Sequence, residues 1–218
     1  MMPFYRWAKN RGKGFYVYEQ FSAKNIYDKK NRGISLSSND LMDVLISELA
    51  FHLNFLKKHK LIIIAHSFGG VLLSEYVLNY HDSLKGHDVV FSGFCPYRPE
   101  FLEYNVKVML ELNDDEVFRE KFICNKNSLN KKQFLGLITQ PYGCIDIKDS
   151  YLNELSLFQS NNYYTYGEYD ICSSEQVEIA KKRLPNCKSV MIQNVSHYPF
   201  ISAPKIYFKM LENMLFNN

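Results

Sequence analysis

Long apolar runs are missing from this 218-residue chain. Its strongest run, Leu61 to Ala65, falls far short of the ~20 residues that a bilayer-spanning helix needs. Met1 to Glu19 carries basic residues but no apolar stretch of the export-signal type, so neither a signal nor a membrane insertion is expected. Also missing is a dense block of one charge. Lys plus Arg number 26 against 23 Asp plus Glu, a net +3 that leaves no electrostatic footprint for nucleic acid. The expected partner is a small molecule or a protein. The five cysteines, Cys95, Cys124, Cys144, Cys172 and Cys187, include no C-x-x-C pair. An odd, scattered set argues against a disulfide framework or a structural zinc site, so a cytoplasmic location is expected and Cys172 reads as a small buried residue. The histidines at 52, 59, 66, 81, 87 and 197 show no H-x-x-x-H spacing, and no metal or cofactor is expected. Internal repeats and low-complexity tracts are absent as well.

What is present is the composition of one ordinary domain with a sizeable core, 46% hydrophobic and 22% charged. Phe15 to Phe21 reads as a short buried strand, followed by a polar loop from Ser22 to Ser37. Ser38-Asn39-Asp40 offers helix caps before Leu41, Val44, Leu45, Leu49, Leu53 and Leu56, spaced along one helical face that ends in Lys57-Lys58-His59-Lys60. Leu61 to Ala65 has the continuous apolarity of a parallel strand buried on both faces. A helix over Val71 to Tyr80 and a strand over Asp88 to Phe91 follow. The rhythm then changes to helical, polar and aromatic segments. It resumes with a strand over Tyr163 to Tyr166, a helix over Ser174 to Leu184, a strand over Ser189 to Gln193 and a closing helix over Pro204 to Leu215. This order predicts an α/β fold with a doubly wound, mostly parallel sheet, its core formed by 1–95 and 160–218 and a helical cap inserted at 96–159.

Between the best strand and the helix after it stands Ala65-His66-Ser67-Phe68-Gly69, a G-x-S-x-G elbow with alanine in the first glycine's place. A serine on so sharp a turn sits in strained backbone, costing on the order of 1–3 kcal/mol, and small residues two positions away leave it room. The elbow lifts the Ser67 hydroxyl above the strand's carboxyl end. It also directs the Phe68 backbone N–H and the helix N-terminus toward the same space, where they would stabilise an oxyanion. The plainer alternative is a serine capping an ordinary helix, with Gly69-Gly70 easing close packing.

A serine hydroxyl is a poor nucleophile near neutral pH, so the elbow calls for a histidine base and an orienting acid later in the chain. Tyr166-Gly167-Glu168-Tyr169-Asp170 places an acid past one strand end, and Val195-Ser196-His197-Tyr198-Pro199 places a histidine past the next. Asp170 is favoured over Glu168 because the loop must clear the strand before turning, although Asp170 would also serve to cap the helix near Ser173. His197 taken alone reads as a satisfied loop histidine; joined to the elbow it reads as the base.

At these residues the chain resembles the α/β-hydrolase superfamily, and within it the proline iminopeptidase type of serine peptidase and related esterases. Tyr18-Glu19-Gln20-Phe21 is similar to that family's Y-D-Q-x-G segment, and Ala65 to Gly70 to its elbow. Gly167 to Asp170, Leu184-Pro185-Asn186, Ser196 to Pro199 and Ala203-Pro204 are similar to its acid and histidine segments. The resemblance implies Ser67 as nucleophile, His197 as base and then acid, Asp170 as the acid orienting His197, and 96–159 as a lid. Two departures accompany it. After Tyr18-Glu19-Gln20 the family's glycines are replaced by Phe21-Ser22-Ala23-Lys24-Asn25, and no H-G-G-P-G loop, the family's second oxyanion donor, precedes Phe15. The strand before that loop would lie between Phe15–Phe21 and Leu61–Ala65, so its lane in the sheet is expected to be filled in another way.

The expected function is therefore a serine hydrolase acting on a small carboxylic ester or a short peptide through an acyl-enzyme. The alternative is a catalytically impaired binding protein of the same fold. Tyr97, Phe101, Tyr104, Phe134 and Tyr142 are equally suited to line an acyl pocket or to pack the cap onto the sheet.

Overall fold

Consecutive isoleucines, β-branched and apolar, form the first strand, β1 (Ile62–His66). The computed structural model describes residues 2–17, 38–94, 96 and 155–217. Within them, β1 is followed by β2 (Asp88–Ser92), β3 (Asn161–Tyr169) and β4 (Lys188–Ser196) in a single sheet of order β1-β2-β3-β4, every pair parallel. All of β2 is buried, as its unbroken apolar centre requires for a strand covered on both faces. Parallel pairing brings the carboxyl ends of the strands to one edge, with His66 opposite Ser92 and Ser92 opposite Thr165.

Helices cover both faces. On one lie α2 (Ser38–Leu56), α3 (Phe68–Asn79) and α4 (Ser174–Arg183), whose Leu45, Leu49, Val71, Leu72 and Val177 share a core with Val89, Phe91 and Tyr164 of the sheet. On the other, α1 (Met2–Lys9) and α6 (Pro204–Phe216) pack Phe4, Trp7, Tyr207 and Leu211 against Val90, Tyr163 and Ile192. A one-turn helix, α5 (Pro199–Ser202), links β4 to α6. A 3₁₀ turn at Leu155–Leu157 sends Leu155 and Phe158 into the first core.

Several expectations are revised. Phe15 to Val17 is not a strand; Phe15 and Tyr16 are exposed, and Tyr18 to Phe21 lies outside the described residues. The basic N-terminus forms α1, because Phe4, Trp7 and Ala8 fall on one helical face that packs against α6. On α2 the buried face is Met42, Leu45, Ile46 and Leu49, and Val44 is turned outward. Cys172 is disulfide-bonded rather than a lone small residue, so the scattered cysteines no longer argue for a reducing compartment. The cap segment lies outside the described residues apart from Pro96 and 155–159, and so do Tyr97, Phe101, Tyr104, Phe134 and Tyr142. No helix among the described residues is long and apolar enough to cross a membrane.

Candidate active site

Ser67 follows β1 directly and precedes α3. Its backbone has φ 52° and ψ −120°, a conformation that non-glycine residues rarely adopt. Two hydrogen bonds hold it there. The Ser67 N–H donates to the Ser92 carbonyl at 3.1 Å, and the Gly70 N–H donates to the Ser67 carbonyl at 2.9 Å. Phe68 opens α3, so its N–H belongs to the helix N-terminus beside the serine. The crowding differs from the expected pattern. Among the described residues a methyl on Gly69 meets no neighbour, whereas one on Gly70 would collide with the Phe94 ring.

Beyond β3 the chain turns at Asp170. The adjoining helix does not need this carboxylate, because Ser173 caps α4: its hydroxyl accepts from the Gln176 N–H while the Gln176 side chain accepts from the Ser173 N–H. Asp170 Oδ1 instead accepts from the Ile171 N–H at 2.7 Å and lies 2.7 Å from His197 Nδ1. Burial alone would raise the Asp170 pKa. The neighbouring His197, by its charge and hydrogen bond, together with the Gly167 N–H, outweighs that and holds the carboxyl below its ordinary range. An ionised carboxylate only accepts, so Nδ1 of His197 carries a proton, and in the neutral ring Nε2 is the acceptor. That Nε2 lies 2.9 Å from Ser67 Oγ.

Glu168, the competing acid, is engaged elsewhere. Its Oε2 accepts from the Asn194 N–H at 2.8 Å on the neighbouring strand. The ladder is irregular at this point: from the pair Gly167 and Ile192 to the pair Tyr169 and Ser196, β3 advances two residues and β4 four. Asn194 takes φ 55° inside this bulge, which re-aims the end of β4 so that His197 follows it toward Ser67.

Two residues of the site were not picked out from the sequence. Gly93, just past β2, has φ 57°, and its N–H donates to the Thr165 carbonyl at 2.8 Å. A methyl on it would lie 3.1 Å from His197 Nδ1 and 3.3 Å from Asp170 Oδ2. The available signal was a glycine immediately past a strand that lies between the elbow strand and the acid strand. His66 occupies the first variable position of the elbow, which carries no residue preference of its own. Its ring centroid lies 4.8 Å from those of both His197 and Tyr198 and 5.0 Å from that of Phe200, and its Nε2 is 2.9 Å from the His197 carbonyl oxygen. Burial, then the charge of His197, lowers the His66 pKa from 6.5 to about 3.

Beneath the site, the Tyr207 hydroxyl of α6 donates to Ser92 Oγ at 3.1 Å. The backbone after β2 is held by the Tyr164 hydroxyl on the Phe94 carbonyl at 2.8 Å and by Gln176 Nε2 on the Pro96 carbonyl at 2.9 Å. No group of three or more His, Cys, Asp or Glu suited to a metal occurs among the described residues.

No protein-family model matches the sequence, and no curated protein matches it. Solved structures do match the fold. A putative lipase from Acinetobacter baumannii aligns with TM-score 0.58 at 17% identity, over 94% of this chain and 72% of that one. A bromoperoxidase from Bacillus anthracis aligns with TM-score 0.56 at 18% identity, over 79% and 73%. A malate-bound esterase from Thermogutta terrifontis aligns with TM-score 0.53 at 19% identity, over 84% and 74%. The parallel sheet, its flanking helices and these likenesses define an α/β-hydrolase fold.

Proposed function

We propose that the protein is a serine hydrolase that cleaves a small carboxylic ester or amide through an acyl-enzyme. The observation that carries this reading is the continuous chain from Ser67 Oγ to His197 Nε2 at 2.9 Å and from His197 Nδ1 to Asp170 Oδ1 at 2.7 Å. It stands at the strand edge where open α/β sheets bind ligands.

In this reading Ser67 Oγ attacks the substrate carbonyl carbon as its proton passes to His197 Nε2. Asp170 fixes the imidazole and stabilises the imidazolium that forms. The Phe68 N–H, backed by the dipole of α3, donates to the oxyanion. Collapse of the tetrahedral intermediate expels the alcohol or amine, which takes the proton from His197. Water, deprotonated by His197, then releases the acid and restores Ser67. The names of the structural neighbours, an esterase and a putative lipase among them, favour esters over peptides. The proline iminopeptidase resemblance keeps short peptides as a second substrate class, and 96–159 is proposed as the cap over the site.

A fluorophosphonate probe should label the wild type and spare Ser67→Ala, and turnover of short-chain p-nitrophenyl esters should vanish in His197→Ala. Equal labelling of wild type and Ser67→Ala would remove the serine from this role. A wild type that neither labels nor turns over would be a binding protein of the same fold.

A further inference from the structure

We infer that His66 is a positioning residue for the reaction: from the strand that carries the nucleophile, its Nε2–H anchors the backbone carbonyl of the base, His197. The inference rests on the serine hydrolase reading and extends it to a residue that does not touch the reacting atoms.

His197 is held by two consecutive residues at two different points. Ser67 Oγ lies 2.9 Å from its ring Nε2, and His66 Nε2 lies 2.9 Å from its carbonyl oxygen. Together with Asp170 on Nδ1, the base is fixed at both ring nitrogens and at its own main chain. The third anchor matters because His197 belongs to the short turn between β4 and α5, beyond the last ladder pair, Tyr169 with Ser196. The His66 bond ties that turn across the sheet to the end of β1, so motion of the base loop relative to the nucleophile must break it.

The chemistry of the anchor is specific. A carbonyl oxygen only accepts, so the His66 proton must sit on Nε2. The groups facing His66 are His197, Asp170, Tyr198 and Phe200, and the half-buried ring packs between the two histidine-loop aromatics and the base. Desolvation and the neighbouring His197 keep the ring neutral, which suits its place. A second cation 4.8 Å from His197 would oppose the imidazolium that forms during the reaction.

The test compares His66→Leu, which removes the donor, with His66→Gln, whose side-chain amide returns an N–H at similar reach. Rates of fluorophosphonate labelling and kcat and KM for a p-nitrophenyl ester are measured for each. His66→Leu should lower kcat and the labelling rate together by ~10- to 100-fold with KM nearly unchanged, and His66→Gln should recover most of the loss, as expected when a reacting group is displaced by about 1 Å. The strongly downfield proton signal of an Asp–His hydrogen bond should persist in wild type and His66→Gln and broaden in His66→Leu. Independently of any variant, ¹⁵N NMR of the wild type should find His66 neutral and protonated on Nε2 at pH 6. Wild-type rates in His66→Leu, equal loss in both variants, or a ring protonated on Nδ1 would each overturn the inference. If His66→Leu does not fold, His66→Gln and the wild-type tautomer decide. Failure of the wild type to label at all strikes instead at the serine hydrolase reading on which the inference stands.

Discussion

Gly93 lies against the pair formed by Asp170 and His197, close enough that an added methyl would stand 3.1 Å from His197 Nδ1. Its φ of 57° adds a backbone reason for glycine. Gly93→Ala should lose on the order of 1–2 kcal/mol of stability from the left-handed backbone alone. In the proposed mechanism it should also lower kcat, because His197 and Asp170 must shift to admit the methyl. Gly86→Ala is the control. Gly86 has φ 78° with open space around it among the described residues, so the backbone penalty should appear in thermal denaturation without the kinetic loss.

Asp170 and Glu168 are two residues apart and separable by kinetics. Asp170→Asn should lower kcat by roughly 10³- to 10⁴-fold, as the loss of an orienting carboxylate does in triads of this type. Glu168→Ala should leave kcat within about threefold, because the Glu168 carboxylate serves the Asn194 N–H; the lost hydrogen bond should cost about 0.5–1.5 kcal/mol in denaturant unfolding. The opposite ranking would make Glu168 the acid.

Stability should fall as the solution is acidified, and the sign follows from His66. Its pKa is about 3 in the folded protein against 6.5 ordinarily, so between those values the unfolded chain binds a proton that the folded chain does not. The contribution is complete above pH 6.5 and is lost as pH falls toward 3, at no more than about 1.4 kcal/mol per pH unit and less for the solvent that reaches the ring. Asp170, also depressed, adds a further loss below its ordinary value of 3.8. Denaturant midpoints measured from pH 7 to pH 4 should therefore drop in the wild type and change less in His66→Gln.

The Tyr207 hydroxyl supports the sheet end without joining the chemistry. Its pKa is raised to about 12 by burial, so it remains a neutral donor to Ser92. Tyr207→Phe keeps the ring and should cost about 1–2 kcal/mol in unfolding free energy while kcat changes little.

The framework of the site was legible because each part has a local signature. Ile62 to Ala65 has the apolar run of a strand, although β1 stands at the edge of the described sheet with only Ala65 fully buried; Ser67 stands at its end before a helix, and Asp170 and His197 each follow a strand. The parts that escaped depend on what lies across the sheet. Gly93 and His66 have no pattern of their own, since what distinguishes them is their distance from His197, a residue more than a hundred positions later in each case. The disulfide at Cys172 was missed for the same reason, since spacing along the chain does not reveal pairing in space. The α1 helix was different. Phe4, Trp7 and Ala8 carry a helical spacing, but one too brief to stand out until α6 supplies the surface it covers. The orientation of α2 was misjudged by a fraction of a turn because apolar residues occur nearly all round it, with Val44, Phe51 and Phe55 exposed.

The bulge in β4 gives the sheet a second job as a measuring device. Ser67, Asp170 and His197 hang from β1, β3 and β4, with Gly93 just past β2 between them, so their spacing is the sum of three strand registers and one irregularity. A slip of one residue in any ladder moves its loop by ~3.3 Å and turns the strand over. That displacement exceeds the whole 2.9 Å contact between Ser67 and His197. A misregistered sheet would therefore hold no hydrogen-bonded chain, and labelling of Ser67 would report correct strand pairing as directly as it reports chemistry.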